Sequence, residues 1–464
     1  MSVGTSDTNQ GVRIDQSLRA VFAGRRGRLL LGLLLAEFAA AIQVVAYTTV
    51  LPVATADLHG TRLYGATLAA GSLSTVAILA FGRGPFQRLS ARATLFVATA
   101  LYIVGILVSA TAPAMIWVLI GSVLRGVASG VLAAFGLTAI GALYADELRG
   151  RVLGLFAIAW LLPSLAGPPL NAIATVAFGW RWAFAWPVLV IVVARLLVGR
   201  DADLVPWETA THRPPRGVAA VVLAGLVAAS SAPALPGWWG VPLFAAGLVA
   251  SCVAGARMLR AAAPGEARRY RTLLAFFEVC ISCFAAFGLL SLLVIAGLGH
   301  GVVAGSVTLG AAFVTWSLAG FRPTVLDGVV RDSATAGSAL VAVSVLAAAI
   351  PMTGVVHGNA AVAVAISASA VLGFGMGIAY PLLSGQALDA LATERVGDIA
   401  TTVAFAEMGA TAIGYLLGGG IYSLASHLGA TPRTAIGLPL VLAAAVGGVG
   451  TAVAARRAAV PLSP

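Results

Sequence analysis

Residues 29–52 read LLLGLLLAEFAAAIQVVAYTTVLP, an apolar run whose one charge is Glu37, and Arg25, Arg26 and Arg28 stand just before it. As a helix this run would be about 36 Å long, enough to cross roughly 30 Å of hydrocarbon. In that medium each backbone N–H and C=O needs a partner within the chain, which a helix supplies without help from water. The stretch therefore reads as a transmembrane helix. With 60% of the 464 residues hydrophobic and only 10% charged, against roughly 25% charged in a soluble domain, the chain has too little polar surface for a globule in water.

The same pattern recurs along the chain. Apolar blocks follow at 64–80, 93–112, 114–142, 152–178 and 182–198, then at 218–232 and 238–256, and then at 272–298, 302–319, 335–356, 360–387, 399–425 and 434–455. The fold class expected is all-α and polytopic, with fourteen spans arranged as six, two and six. The boundaries read as a cytoplasmic tail at 1–28, an N-terminal six-helix bundle at 29–199 and a linker at 200–217. Two inserted helices at 218–258, a second linker at 259–271, a C-terminal six-helix bundle at 272–455 and a tail at 456–464 complete the chain.

All 28 basic residues are arginine, and the net charge is +11. Their placement beside apolar blocks fits membrane orientation and gives no support to nucleic-acid binding. With both termini cytoplasmic, 24 arginines fall on the cytoplasmic side, Arg62, Arg181 and Arg433 fall outside, and Arg125 lies within a span. The expected location is a cell membrane, inner or plasma, crossed many times.

An internal repeat appears at an offset of 247 residues, pairing Gly130 with Gly377, Glu147 with Glu394, Gly150 with Gly397 and Gly167 with Gly414. The glutamates weigh most, because charges are scarce and both sit between the fourth and fifth helices of their bundle.

Ionisable side chains within a bilayer cost roughly 2.5–3.5 kcal/mol even on insertion scales, so they are functional candidates. Glu37, Glu278, Glu407 and Arg125 form this set, each near the midplane by its distance along its helix. A carboxylate in low dielectric holds a proton more readily, and an approaching Arg reverses that, which is what proton coupling requires. Glu37 is the nominee and Glu278 its rival; Arg125 is expected to keep a carboxylate partner. Structural ion pairs or helix–helix hydrogen bonds are the plainer alternative. The run from Leu162 to Pro169, with Pro163, Gly167 and Pro168, is expected to interrupt the fifth helix, and Gly414 with Gly418, Gly419 and Gly420 to allow close contact at the matched place.

Cys280 and Cys283 form a C-x-x-C with no second pair, so packing explains them better than zinc or redox chemistry. The histidines, His59, His212, His300, His357 and His427, are scattered, no metal cluster is expected, and no phosphate-binding glycine loop is found. Neither an enzyme nor a cofactor is expected.

Several motifs together resemble the major facilitator superfamily, in particular its fourteen-helix drug:proton antiporter branch of actinobacterial type. Val50-Leu51-Pro52 followed by Asp57-Leu58 is similar to the ending of the family's first helix. Leu124-Arg125 with Ser129-Gly130 is similar to its fourth-helix motif, and the resemblance implies a proton-coupling role for Arg125. Gly167-Pro168 resembles the fifth-helix antiporter motif, and Trp180-Arg181-Trp182-Ala183-Phe184 resembles the W-R-W-x-F of the fourteen-helix branch. The loop Gly84 to Arg92 departs from the family pattern, with Arg88 at the Asp position and Ala91 at a Gly position; the fifth-helix motif departs at Pro163, Asn171 and Ala172.

The function expected is a secondary active transporter working by alternating access, exporting an amphipathic organic compound, drug or natural product, in exchange for protons. Movement of a lipid or metabolite with other coupling is one alternative, and a non-transporting sensor or scaffold another. The partners expected are that small amphipathic substrate, protons and membrane lipids, with the chain a monomer.

Overall fold

The computed structural model describes residues 22–81, 86, 89–144, 146–205, 216–388 and 393–458. Gly84, Pro85, Gln87 and Arg88 of the Gly84 to Arg92 loop, the centre of the first linker and the side chains of Glu147 and Glu394 lie outside the described residues.

Among the described residues there are fourteen helices long and apolar enough to cross a membrane. They are α1 (Gly24–Asp57), α2 (Thr61–Phe81), α3 (Ala91–Ala110), α4 (Met115–Leu143), α5 (Asp146–Phe178), α6 (Trp180–Arg200), α7 (Arg216–Ala234), α8 (Gly237–Ala262), α9 (Ala267–Gly297), α10 (Val302–Gly320), α11 (Ser333–Thr353), α12 (Gly358–Leu388), α13 (Thr393–Tyr415, continuing through Leu416–Gly420 to Ile421–His427) and α14 (Pro432–Ala458). An even number of spans brings both ends of the described chain to one face, hereafter the termini face. Reporters fused at Pro236, between α7 and α8, and at Pro264, between α8 and α9, test its orientation. The arginine distribution predicts Pro264 in the cytoplasm and Pro236 outside; a cytoplasmic Pro236 would contradict it.

The packing repeats between the two sets of six. Helix α5 rests on α1 and crosses onto α10, whereas α13 rests on α9 and crosses onto α2. Their starts, Asp146 and Thr393, differ by 393 − 146 = 247, the offset that pairs Gly167 with Gly414. Each of these glycines takes its helix close to the first helix of its own bundle. A Cβ on Gly167 would touch Val45, and one on Gly414 would press on the backbone of Ile281.

The expected break in α5 does not occur: the helix runs through Pro163, Pro168 and Pro169. Pro163, Ser164, Gly167 and Pro168 are buried on one side, while Leu162 and Leu165 face outward, more than half exposed. The prolines that interrupt the backbone hydrogen bonding thus lie mainly against neighbouring helices, where α5 can stay helical without presenting freed carbonyls to lipid.

Helices α7 and α8 form a hairpin closed by small residues. Ser251 Oγ donates to the carbonyls of Val222 at 3.0 Å and Gly247 at 2.9 Å. The hairpin lies along the α2–α13 seam, with Phe244 against Gly420 and His427 Nε2 3.2 Å from the Leu235 carbonyl oxygen. The seam thus clasped is one of two; the other is formed by α5 and α10.

At the termini face each bundle is tied by charges of its own. Asp201, 1% exposed, accepts from Arg25 Nε at 2.7 Å and Arg28 Nε at 3.1 Å, while Asp203 pairs with Arg25 at 2.9 Å. The hydrogen bond from Arg25, followed by that from Arg28, holds the Asp201 carboxyl below the usual carboxylate range. A lowered folded pKa means stability that is fully present above the unfolded value of about 3.9 and lost as pH falls through the folded one. Asp201→Asn is therefore expected to cost about 1–2 kcal/mol at neutral pH and almost nothing well below pH 3. Thermal unfolding across that range checks it; an equal loss at both ends would assign the effect to packing.

Candidate functional site

The bundles meet near the face opposite the termini. Tyr64 Oη donates to the Gly288 carbonyl at 2.6 Å, the Gly65 N–H donates to Ser423 Oγ at 3.1 Å, and Ser291 Oγ donates to the Thr49 carbonyl at 3.0 Å. Each bond joins the N-terminal bundle to the C-terminal one. Gly65 lies so close to Gly419 and Gly420 that a Cβ there would collide with their backbone. The segment it meets, Leu416–Gly420, is a π-helical turn within α13, a feature that often marks functional positions.

The N-terminal side of the interface carries a polar cluster around Arg125, itself 9% exposed. Its Nη2 donates to Ser122 Oγ at 3.0 Å, its Nη1 to Gln43 Oε1 at 3.4 Å, and its guanidinium carbon lies 3.6 Å from the centroid of the Tyr47 ring. The carboxylate partner expected for Arg125 is not found: among the described residues it forms no ion pair. An amide, a hydroxyl and an aromatic face take that place, and a desolvated cation–π contact is worth about 2 kcal/mol. Glu37 shares the neighbourhood, since Tyr102 lies within electrostatic reach of Arg125, Tyr47 and Glu37 together.

Across the interface, α9, α10, α12 and α13 present an aromatic wall. Phe284 packs against Phe287, Trp316 and Tyr415, with ring centroids 5.9–6.4 Å apart, and Trp316 lies 5.8 Å from Tyr380. Phe284, Trp316 and Tyr380 are only half-buried, so the wall keeps open surface. Tyr380 faces Glu407, also half-buried, and Glu407 is in turn within electrostatic reach of Glu37. Glu37 is 37 − 24 = 13 residues into α1 and Glu407 is 407 − 393 = 14 into α13, which gives both about 20 Å of rise from the termini face.

Glu278 shares the depth but not the face. Its Cβ lies against Gly450 of α14, Cys252 of α8 is within its electrostatic reach, and its Oε2 is buried with no hydrogen-bond partner among the described residues. Three of the four membrane charges thus gather about the interface, and Glu278 stands behind α9.

A strap from the start of α6 holds α1 in place. Trp180 Nε1 donates to Asp57 Oδ2 at 3.0 Å, Arg181 Nη1 pairs with the same oxygen at 3.3 Å, and Arg181 Nη2 reaches the Ala112 carbonyl at 3.2 Å. Phe184 stacks on Tyr47 at 4.4 Å and 14°, and its carbonyl accepts from Gln43 Nε2 at 2.9 Å. The strap therefore sets two of the groups that receive Arg125. Gln43, Tyr47, Trp316 and Tyr380 did not stand out in sequence. For Gln43 a signal was present, a lone amide in an apolar run six residues past Glu37.

This arrangement defines a class: a multi-pass helical membrane protein, in which two bundles enclose membrane-depth charges and an aromatic wall. The chain belongs to the Major Facilitator Superfamily, whose family model matches residues 33–415. Among similar proteins, one of Mycobacterium tuberculosis named a "Probable multidrug-efflux transporter" is 29% identical over 159 residues, 32% of each chain. The "Efflux pump dotC" of Dothistroma septosporum is 32% identical over 164 residues, 33% of this chain and 26% of that protein. The match thus spans about a third or less of the length of these relatives. Among solved structures, an auto-inhibited POT family peptide transporter gives a TM-score of 0.66 at 13% identity, covering 94% of this chain and 98% of that one. The POT family transporter PepTSo gives 0.64 at 13% identity, covering 93% and 98%. At such identity the likeness concerns the fold alone.

Proposed function

We propose that the protein is a secondary transporter that exports an amphipathic organic compound in exchange for protons, working by alternating access between two six-helix bundles with α7 and α8 as an insertion. The observation that carries this reading is the equal depth of Glu37 and Glu407 on helices of different bundles, within electrostatic reach of each other, beside the half-buried wall of Phe284, Trp316 and Tyr380. A carboxylate there can hold either a proton or a cationic substrate, and that competition couples the two fluxes. Aromatic faces favour flat apolar bodies and cations without fixing one shape, which suits a broad substrate range. The efflux names of the partial relatives support the direction.

The interface as described is closed at the face away from the termini. With the termini cytoplasmic, that closes the route to the outside. In everted vesicles, uptake of a fluorescent lipophilic cation is expected to require a proton gradient, acid inside, and to stop when nigericin collapses it. Uptake that continues unchanged after the collapse would overturn proton coupling.

A further inference from the structure

A cavity of about 1000 Å³ opens at the face away from the termini, between α2 and α4 on one side and α7, with the end of α13, on the other. It borders the α2–α13 seam, where Ser426 and His427 of α13 join its lining, and it contains none of the residues of the transport reading. Its floor is apolar, formed by Ala70 and Leu73 of α2 and by Leu119 and Val123 of α4, and Val227 of α7 closes the opposite side. Its rim is polar: His59, Arg62 and His427 line the mouth, with Ser230 and Ser231 beside them.

Depth and charge together identify an occupant. From Arg62 to Leu73 is eleven residues of α2, about 16 Å of rise, which is about the thickness of one leaflet's hydrocarbon. The exposed indoles Trp238 and Trp239 at the hairpin tip, with Trp117 and Trp182 at the ends of α4 and α6, mark the headgroup level on this face. The mouth therefore lies among headgroups and the floor among acyl chains. Arg62 is exposed at that mouth and forms no ion pair among the described residues, whereas Arg181 on the same face is engaged by Asp57. Asp57 itself is turned to Trp180 and Arg181.

We propose that this cavity is a binding site for an anionic phospholipid of the leaflet opposite the termini, its phosphate held by Arg62 and its acyl chains on the α2–α4 floor. The lipid would fill the wedge between the N-terminal bundle and the hairpin.

Native mass spectrometry of the full-length protein, delipidated and titrated with phosphatidylglycerol or phosphatidylcholine, tests the site. The wild type should retain phosphatidylglycerol about fivefold better than phosphatidylcholine, the effect of one basic residue near a headgroup. Arg62→Gln should remove that preference, Arg62→Lys should keep it, and Val227→Trp, an indole at an exposed position on the cavity wall, should lower retention of both lipids. Excess inorganic phosphate should displace neither. Equal retention of the two lipids by the wild type, a preference that survives Arg62→Gln, or unchanged binding by Val227→Trp would each overturn the proposal. Displacement by inorganic phosphate would instead identify a small-anion site.

Discussion

Gly65→Ala is expected to open the seal between the bundles and to reduce transport to a small fraction of the wild-type rate. The added methyl group has nowhere to go, because the atoms it meets are backbone of Gly419 and Gly420 and cannot rotate away. Relief requires α2 and α13 to separate, which also lengthens the bond from the Gly65 N–H to Ser423 Oγ. Overpacking of this kind costs about 1–3 kcal/mol, a shift of roughly 5- to 150-fold against the closed arrangement. In a chain lacking Cys252, Cys280 and Cys283, the reactivity of Ser423→Cys toward a membrane-impermeant thiol reagent should rise when Gly65→Ala is added. Gly71→Ala on the same helix is the control, since a Cβ there has only the Ser122 carbonyl oxygen nearby, at 3.9 Å. Unchanged reactivity with normal transport would place the seal elsewhere.

The spans were legible because lipid imposes length and apolarity on every crossing, and the scarce charges could be ranked by depth along helices of fixed rise. Depth alone could not say which way a side chain faces. In α9 almost every residue from Thr272 to Val294 is buried, so no polar face tells the side of Phe284 from that of Glu278. The two carboxylates within electrostatic reach of each other, Glu37 and Glu407, come from different bundles and share only the depth. Pro163 and Pro168 misled because a proline marks a lost hydrogen bond but not the neighbour that shelters it. Gly65 drew no notice, since its role lies in the backbone of a helix some 350 residues away. Asp57 and Trp180 were each singled out by resemblance to a motif, yet only the fold brings them together.

The second large effect expected is the loss of proton-coupled transport in Glu37→Gln and Glu407→Gln. Glutamine keeps the shape and much of the hydrogen bonding of glutamate but cannot carry the proton. Each substitution should lower substrate-driven proton movement at least tenfold, roughly 1.4 kcal/mol or more in the coupled step, while the helical fold remains. Glu278→Gln should behave differently. Its Oε2 has no hydrogen-bond partner among the described residues and its side chain lies by α14 and α8, so the substitution should alter thermal stability and leave coupling nearly intact.

The most direct test is therefore to reconstitute the wild type and the three glutamine variants in parallel and to record lumenal pH as substrate is added. The wild type and Glu278→Gln should show substrate-dependent proton flux, and Glu37→Gln and Glu407→Gln should show almost none. Wild-type flux in Glu37→Gln and Glu407→Gln, with loss of flux in Glu278→Gln, would contradict the account and move the proton site behind α9.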